Sequence, residues 1–388
     1  MMYSKIKKIK DIAKNTTIKS ALNAAVNQVE VNRQSSTLHS LPQTVDVVLT
    51  RICNLKCIFC KDYETLGDTY ITVENFKKAA RQLFPTARRL RICSGGEPYM
   101  HKQLIDLLRI AGQYKIETVL LSNGMLLKEN LIRTIVSEGL ISRHGFSVDG
   151  IKASTVEAIR VRAKLDVIKE NIRMLARIRE EEGGKQPEIE IRYALMHSNI
   201  KELPQAVRYW GEMGINRMDC FYLSLCNDID HHESLYFHQD LMEQVFNDAR
   251  EVASDYSHLT LHLPPTIHQE QPKQHAPVKC ASPWSFVKVE TDGRIFPCYK
   301  SWGVISMGNI YDDNGRLFKE IWNGPQYQAL RRTANDDTLP KHYSYCSVCQ
   351  RRFGMGNKAI HLGDETWLDH IRDTSEKAKV IASRARSR

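Results

Sequence analysis

Apolar positions in the first two thirds of the chain alternate between two periods. Short runs such as "VDVVLT" (45–50), "RLRICSG" (89–95), "TVLLSNG" (118–124), "GFSVDG" (145–150), "IEIRYALM" (189–196) and "RMDCFYLSL" (217–225) read as strands. Between them, apolar residues recur at helical spacing near 72–84, 101–114, 128–139, 165–182 and 201–213, with Thr72 and the Lys201–Glu202 pair near the starts of two of these stretches. This alternation predicts parallel strands joined by right-handed crossovers. Six βα units are too few to close an eight-fold barrel. The expected fold class is therefore α/β, an open (β/α)6 partial TIM barrel over residues 45–263. Its active site belongs at the C-terminal ends of the strands, where "SGGEP", "SNG" and "SVDG" all fall.

Beyond the sixth strand the pattern predicts a long helix near 234–254 and a short strand in "LTLHLP". A polar, Pro-rich stretch at 264–279 reads as a linker, residues 280–365 as a small cysteine-bearing domain, and 366–388 as a basic tail. Residues 1–44 form a basic amphipathic segment, with Ile6, Ile9, Ile12, Ile18, Leu22, Val26 and Val29 at roughly helical spacing beside Lys7, Lys8, Lys10 and Lys14. The favoured expectation is that this segment packs across the barrel or frays, with contact to an anionic membrane as the lesser alternative.

Charge changes the picture less than its total suggests. Residues 1–40 carry seven Lys and Arg against two acids, and residues 374–388 five against one, so the two ends supply nearly all of the net +10. A body close to neutral argues against nucleic acid as the main ligand. No apolar run reaches the roughly 18 residues that span a bilayer, and the N-terminus lacks the apolar core of a secretory signal. A cytoplasmic protein is expected.

The ten cysteines are then better read as ligands, nucleophiles or buried small residues than as a disulfide framework. Cys53, Cys57 and Cys60 lie on one loop as C-x3-C-x2-C. A structural zinc site wants four protein ligands, whereas three thiolates suit an iron-sulfur cube with one iron left open. Cys280, Cys298, Cys346 and Cys349 make a second set of four, which spacing alone assigns equally to zinc or to a cluster. Cys93, Cys220 and Cys226 are solitary, the first two inside predicted strands and read as core.

The C-x3-C-x2-C triplet, with Phe59 before its last cysteine, and the motifs that follow it resemble the radical S-adenosylmethionine (SAM) superfamily over roughly residues 45–225. The resemblance implies that the open iron chelates SAM, whose reductive cleavage gives a 5'-deoxyadenosyl radical that abstracts hydrogen from a substrate. It places Gly95, Gly96, Glu97 and Pro98 at the SAM amino group, Asn123 at the ribose, Ser147 at a polar SAM contact and Arg160 at the carboxylate, with Arg162 close in register. Around Gly293, the pattern C-x12-G-x4-C, then "SMGNI", "EIWNGPQYQALR" and the final C-x2-C, resembles SPASM and twitch domains. Met355 stands where a full SPASM domain has its next cysteine, leaving four ligands for one auxiliary 4Fe-4S cluster.

That spacing resembles the 2-deoxy-scyllo-inosamine dehydrogenase group. The expected reaction is therefore dehydrogenation of a carbohydrate or cyclitol-like small molecule, with SAM, two 4Fe-4S clusters and an electron donor such as flavodoxin or ferredoxin. About 44 residues precede the first strand, too few for a separate peptide-recognition domain, which leans the same way. The alternatives are a maturase of a peptide or protein side chain, a radical epimerase with Cys226 as hydrogen donor, and a non-catalytic iron-sulfur or zinc protein. Tyr99, Arg192 and Tyr222 are candidate substrate contacts.

Overall fold

The computed structural model describes residues 17–60, 69–223, 231–266, 279–298, 306–311, 317–335 and 346. Its strands are, in chain order, β1 Thr44–Val47, β2 Lys56–Cys57, β3 Arg89–Ile92, β4 Glu117–Ser122, β5 Arg143–Ser147, β6 Arg160–Val161, β7 Glu188–Leu195, β8 Arg217–Tyr222, β9 Thr260–His262, β10 Phe286–Val289 and β11 Ile295–Phe296. All six predicted strands form. Each stops short of the last residues of its predicted run, and in the first five those residues leave the sheet as loops. The predicted helix starting at Thr72 also forms, as Val73–Leu83, with the Thr72 side chain accepting from Asn75 N. Among the described residues no helix is long and apolar enough to cross a membrane.

Contacts divide the chain into two compact bodies, one of Met1–Arg51, Asp68–Leu120 and Lys279–Ser347, the other of Ile52–Gly67, Leu121–Val278 and Val348–Arg388. In the first body β1 lies between β3 and β10, parallel to both, while β10 and β11 form an antiparallel hairpin. Val45, Val47, Leu90, Ile92, Val287 and Val289 are buried there. The strand β10, "FVKV", is absent from the sequence reading. Trp322 donates from Nε1 to Ser40 O at 2.9 Å, and the buried Arg331 guanidinium lies over its ring at 4.4 Å.

The second body carries β5, β7, β8 and β9, all parallel. Its helix Leu165–Glu181 buries Leu165, Ile168, Ile172, Leu175 and Ile178 at the spacing the sequence shows. His144, wholly buried on β5, stacks on Phe146 at 4.2 Å. Burial drives its pKa down to about 3. A depressed histidine stabilises the fold above its unfolded pKa near 6.5, and that stability is lost as pH falls toward 3. Denaturant titration of His144→Phe should therefore remove about 1.4 kcal/mol per pH unit of acid destabilisation below about 6.5. An unchanged acid limb would show that His144 is open to solvent.

The described part of the amphipathic segment packs through its polar face. A helix runs Ile18–Arg33, begun by a Thr17/Ser20 capping box, but it buries Ser20, Asn27 and Glu30 and exposes Ile18, Leu22, Val26 and Val29. The polar face packs because the neighbouring chain offers unpaired backbone groups. Asn23 Nδ2 donates to Leu41 O and Thr86 O, Asn27 Nδ2 donates to Trp284 O at 2.7 Å, and Glu30 accepts from His39 N at 2.6 Å. Residues 1–16, with Ile6, Ile9 and Ile12, lie outside the described residues.

Candidate functional site

The three-cysteine loop is held by a short ladder that sequence pattern could not show. β2 pairs antiparallel with β6, Cys57 opposite Arg160, and Ile58 N donates to Ile159 O at 3.0 Å. The Arg160 guanidinium is buried. Its Nη2 meets Asp149 Oδ2 at 2.7 Å, its Nη1 lies 3.8 Å from Cys57 Sγ, and it sits over the Phe59 ring at 5.4 Å. Asp149, with no exposed surface, also accepts from Ala194 N at 2.7 Å. Burial pushes the Asp149 carboxyl up and Arg160 pulls it back down. A carboxylate in this setting needs its guanidinium partner.

Both ends of the segment that delivers Arg160 are fixed. Glu202 accepts from Ile151 N and Lys152 N at the start of the helix Ala153–Ile159, placing a carboxylate at a helix N-terminus. Asn199 Nδ2 donates to Asp149 O and Ala194 O. Asn123 braces the cysteine loop from another strand end: its Nδ2 donates to Asn54 Oδ1 at 2.8 Å and lies 3.8 Å from Cys53 Sγ, while Leu55 N lies 3.4 Å from the same sulfur.

Three sulfurs on one loop, two of them facing N–H donors, fit the thiolate ligands of an iron-sulfur cluster, whose potential responds to hydrogen bonds at sulfur. Burial raises the Cys57 thiol pKa and Arg160 opposes that rise; iron would displace the proton outright. Among the described residues no three Cys, His, Asp or Glu side chains are drawn together as one metal ion would require.

In the first body, Gly95 sits at φ +89°, where a Cβ would lie 2.8 Å from Thr50 O, and Gly96 N donates to that oxygen at 2.7 Å. Glycine is needed here for backbone approach. Glu97 is buried and caps the turn Pro98–Met100, accepting from Tyr99 N. Tyr99 is partly buried, its phenol pushed far above the usual range by desolvation and by Glu97. Arg51, directly before the cysteine loop, is buried against Glu290, which also takes Lys288 Nζ at 2.8 Å. Lys288 on β10 and Glu290 just after it were missed because that strand was missed.

Ser147, Arg192, Asp219 and His262 stand in one row across β5, β7, β8 and β9 and so share a face. Arg192 Nη1 donates to Asp219 Oδ2 at 2.8 Å and its guanidinium lies over the half-exposed Phe221 ring at 5.0 Å. Tyr222, by contrast, donates to Pro265 O at 2.6 Å and ties β8 to the chain beyond β9. Cys220 is buried, its thiol raised by desolvation, and Cys93 is half-buried with its thiol 3.8 Å from Val119 O.

The second cysteine set is partly in view. Cys280 N donates to Asn335 Oδ1 at 2.7 Å and Asn335 Nδ2 returns to Cys280 O. Cys298 follows the β10–β11 hairpin, whose Gly293 has φ +87° and no room for a side chain beside Asn309 and Tyr311. Cys346 is described, whereas Cys349, Met355 and Cys226 lie outside the described residues.

The sequence profile of the radical SAM superfamily matches residues 47–209, and that of an iron-sulfur cluster-binding SPASM domain matches residues 280–350. The chain belongs to the radical SAM superfamily. It is similar to the tungsten-containing aldehyde ferredoxin oxidoreductase cofactor-modifying protein of Pyrococcus furiosus, 23% identical over 78% of this chain and 86% of that protein. It is also similar to the PqqA peptide cyclase of Gluconobacter oxydans, 23% identical over 81% of this chain and 85% of that one. Among solved structures, Streptococcus suis SuiB bound to precursor peptide SuiA aligns with a TM-score of 0.59 at 14% identity, over 80% of this chain and 71% of that one.

This radical SAM enzyme has the open (β/α)6 partial-barrel fold with a C-terminal SPASM domain. Its cofactors are a SAM-binding 4Fe-4S cluster, SAM and auxiliary iron-sulfur ligation in the SPASM domain. When bound, they supply reductive SAM cleavage and a 5'-deoxyadenosyl radical.

Proposed function

We propose that this radical SAM enzyme modifies a side chain of a peptide or protein by hydrogen abstraction, with net oxidation. The observation that carries the chemistry is the cysteine loop, with Arg160 and Asn123 at its sulfurs. Support for a peptide substrate comes from the relatives, of which one is a peptide cyclase and one holds a precursor peptide. A small-molecule alcohol is the second reading, favoured by the four-cysteine spacing of residues 280–349. On either reading Cys53, Cys57 and Cys60 hold the SAM-binding cluster, and Cys280, Cys298, Cys346 and Cys349 hold the auxiliary one.

This assignment makes Phe59, Asn123, Ser147 and Arg160 of the second body SAM contacts, and Gly95, Gly96, Glu97 and Pro98 of the first body SAM contacts in their own right. The roles differ from one another: Glu97 shapes its turn, Asn123 and Arg160 fix the cysteine loop, and the glycines admit backbone contact. Arg192 and Asp219 offer polar contacts to substrate, whereas Tyr222 is engaged within the fold.

The test is anaerobic reconstitution, with SAM and reductant, against two panels: short Cys-, Tyr- and Trp-containing peptides, and cyclitols and hexose alcohols. A peptide should raise 5'-deoxyadenosine release above the uncoupled rate and lose the mass of two hydrogens. Loss of two hydrogens from a cyclitol alone would transfer the assignment to the second reading. No 5'-deoxyadenosine with either panel or without substrate would remove the radical assignment of the loop.

A further inference from the structure

The helix Ile18–Arg33 turns its polarity inside out. On an α-helix Ile18, Leu22, Val26 and Val29 fall on one stripe, and they are 82%, 64%, 42% and 47% exposed, while Ser20, Asn27 and Glu30 opposite are buried. The helix is not free to roll and hide this stripe. Asn23 is bonded to Leu41 and Thr86, Asn27 to Ser40, Trp284 O and Ser285, and Glu30 to His39 and Ser40. Rotation would break all of these and leave buried amides unpaired. An aliphatic ridge is thus held outward by polar anchors.

We propose that this ridge docks on an anionic lipid surface. Charge favours that occupant. Residues 1–19 carry Lys5, Lys7, Lys8, Lys10, Lys14 and Lys19 against the single acid Asp11, and this cluster runs directly into the start of the stripe. Glu30, the acid within the helix, is turned into the protein and does not offset it. A second copy would bring two such basic segments together, which repel. The ridge residues named above are aliphatic, without the Trp, Tyr or Arg anchors that dominate protein interfaces. Aliphatic side chains beside a run of lysines match a bilayer surface, where apolar burial and attraction to anionic headgroups add.

The experiment is co-sedimentation of the full chain with phosphatidylcholine vesicles and with vesicles in which about a third of the lipid is phosphatidylglycerol, at low and high salt. Binding to the anionic vesicles should be at least about tenfold tighter than to phosphatidylcholine and should weaken with salt. The double variant Leu22→Glu/Val26→Glu should lose about tenfold or more while keeping its circular dichroism and melting temperature, because both positions face solvent. Lys7→Gln/Lys8→Gln/Lys10→Gln should weaken binding with the ridge intact. Absence of binding to anionic vesicles, or binding that the ridge variant retains in full, would overturn the proposal. A dimer in light scattering that Leu22→Glu/Val26→Glu dissociates, with no vesicle binding, would assign the ridge to a second copy instead.

Discussion

Replacing Asp149 with alanine should destabilise the second body by about 3–5 kcal/mol, read as a shift in its denaturant midpoint. The reason is asymmetric. Arg160 is buried and keeps its charge, so losing the carboxylate leaves a buried guanidinium without its carboxylate partner. The Ala194 amide loses its acceptor at the same time. Asp149→Asn keeps that acceptor and should cost less than Asp149→Ala. In Asp149→Ala/Arg160→Met both charges are gone, so most of the stability should return.

Iron retention should not follow the same course. Arg160 Nη1 is a donor toward Cys57, and Arg160→Met removes that donor while leaving the backbone ladder in place. The double variant should therefore still lose iron faster than wild type on desalting after reconstitution. If Asp149→Ala moved the midpoint by less than about 1 kcal/mol, the pair would be hydrated and worth no more than a surface ion pair.

The barrel was legible because each of its elements repeats a period over enough residues to register. The strand at 189–196 and the helix at 165–182 were read nearly to their ends, since burial on one face imposes the pattern directly. The cysteine loop was legible by spacing alone. What the sequence could not carry was partnership between distant residues. Asp149 stood in a quoted motif without a role, because its significance depends on Arg160 folding back beside Cys57. Glu202 and Asn199 were hidden for the same reason.

In the helix Ile18–Arg33 the period was legible and the packing face was not. Its amphipathic period was visible, yet the period says only that two faces differ. Which face packs depends on what the neighbours need, and Leu41, Thr86 and Trp284 present carbonyls there. Tyr222 was likewise placed near a strand end correctly, but its hydroxyl reaches Pro265 O.

Cys57→Ala should lower iron in the reconstituted enzyme from about eight to about four per chain and reduce 5'-deoxyadenosine to the buffer level. Cys280→Ala should bring iron to the same count and leave SAM cleavage in place. Equal iron with opposite chemistry is the signature of two separate centres with separate tasks. The Cys57 result has a structural reason beyond the lost ligand: its sulfur is the buried one of the three, held against Arg160, and alanine removes that contact while the guanidinium keeps Asp149. Stability should therefore change far less in Cys57→Ala than in Asp149→Ala, and a folded, half-loaded, inactive protein is the expected product. If Cys57→Ala kept eight irons, the loop would not be a cluster site. If Cys280→Ala abolished SAM cleavage as completely as Cys57→Ala, the two centres would not be separable, and the assignment of radical initiation to the first loop alone would fall.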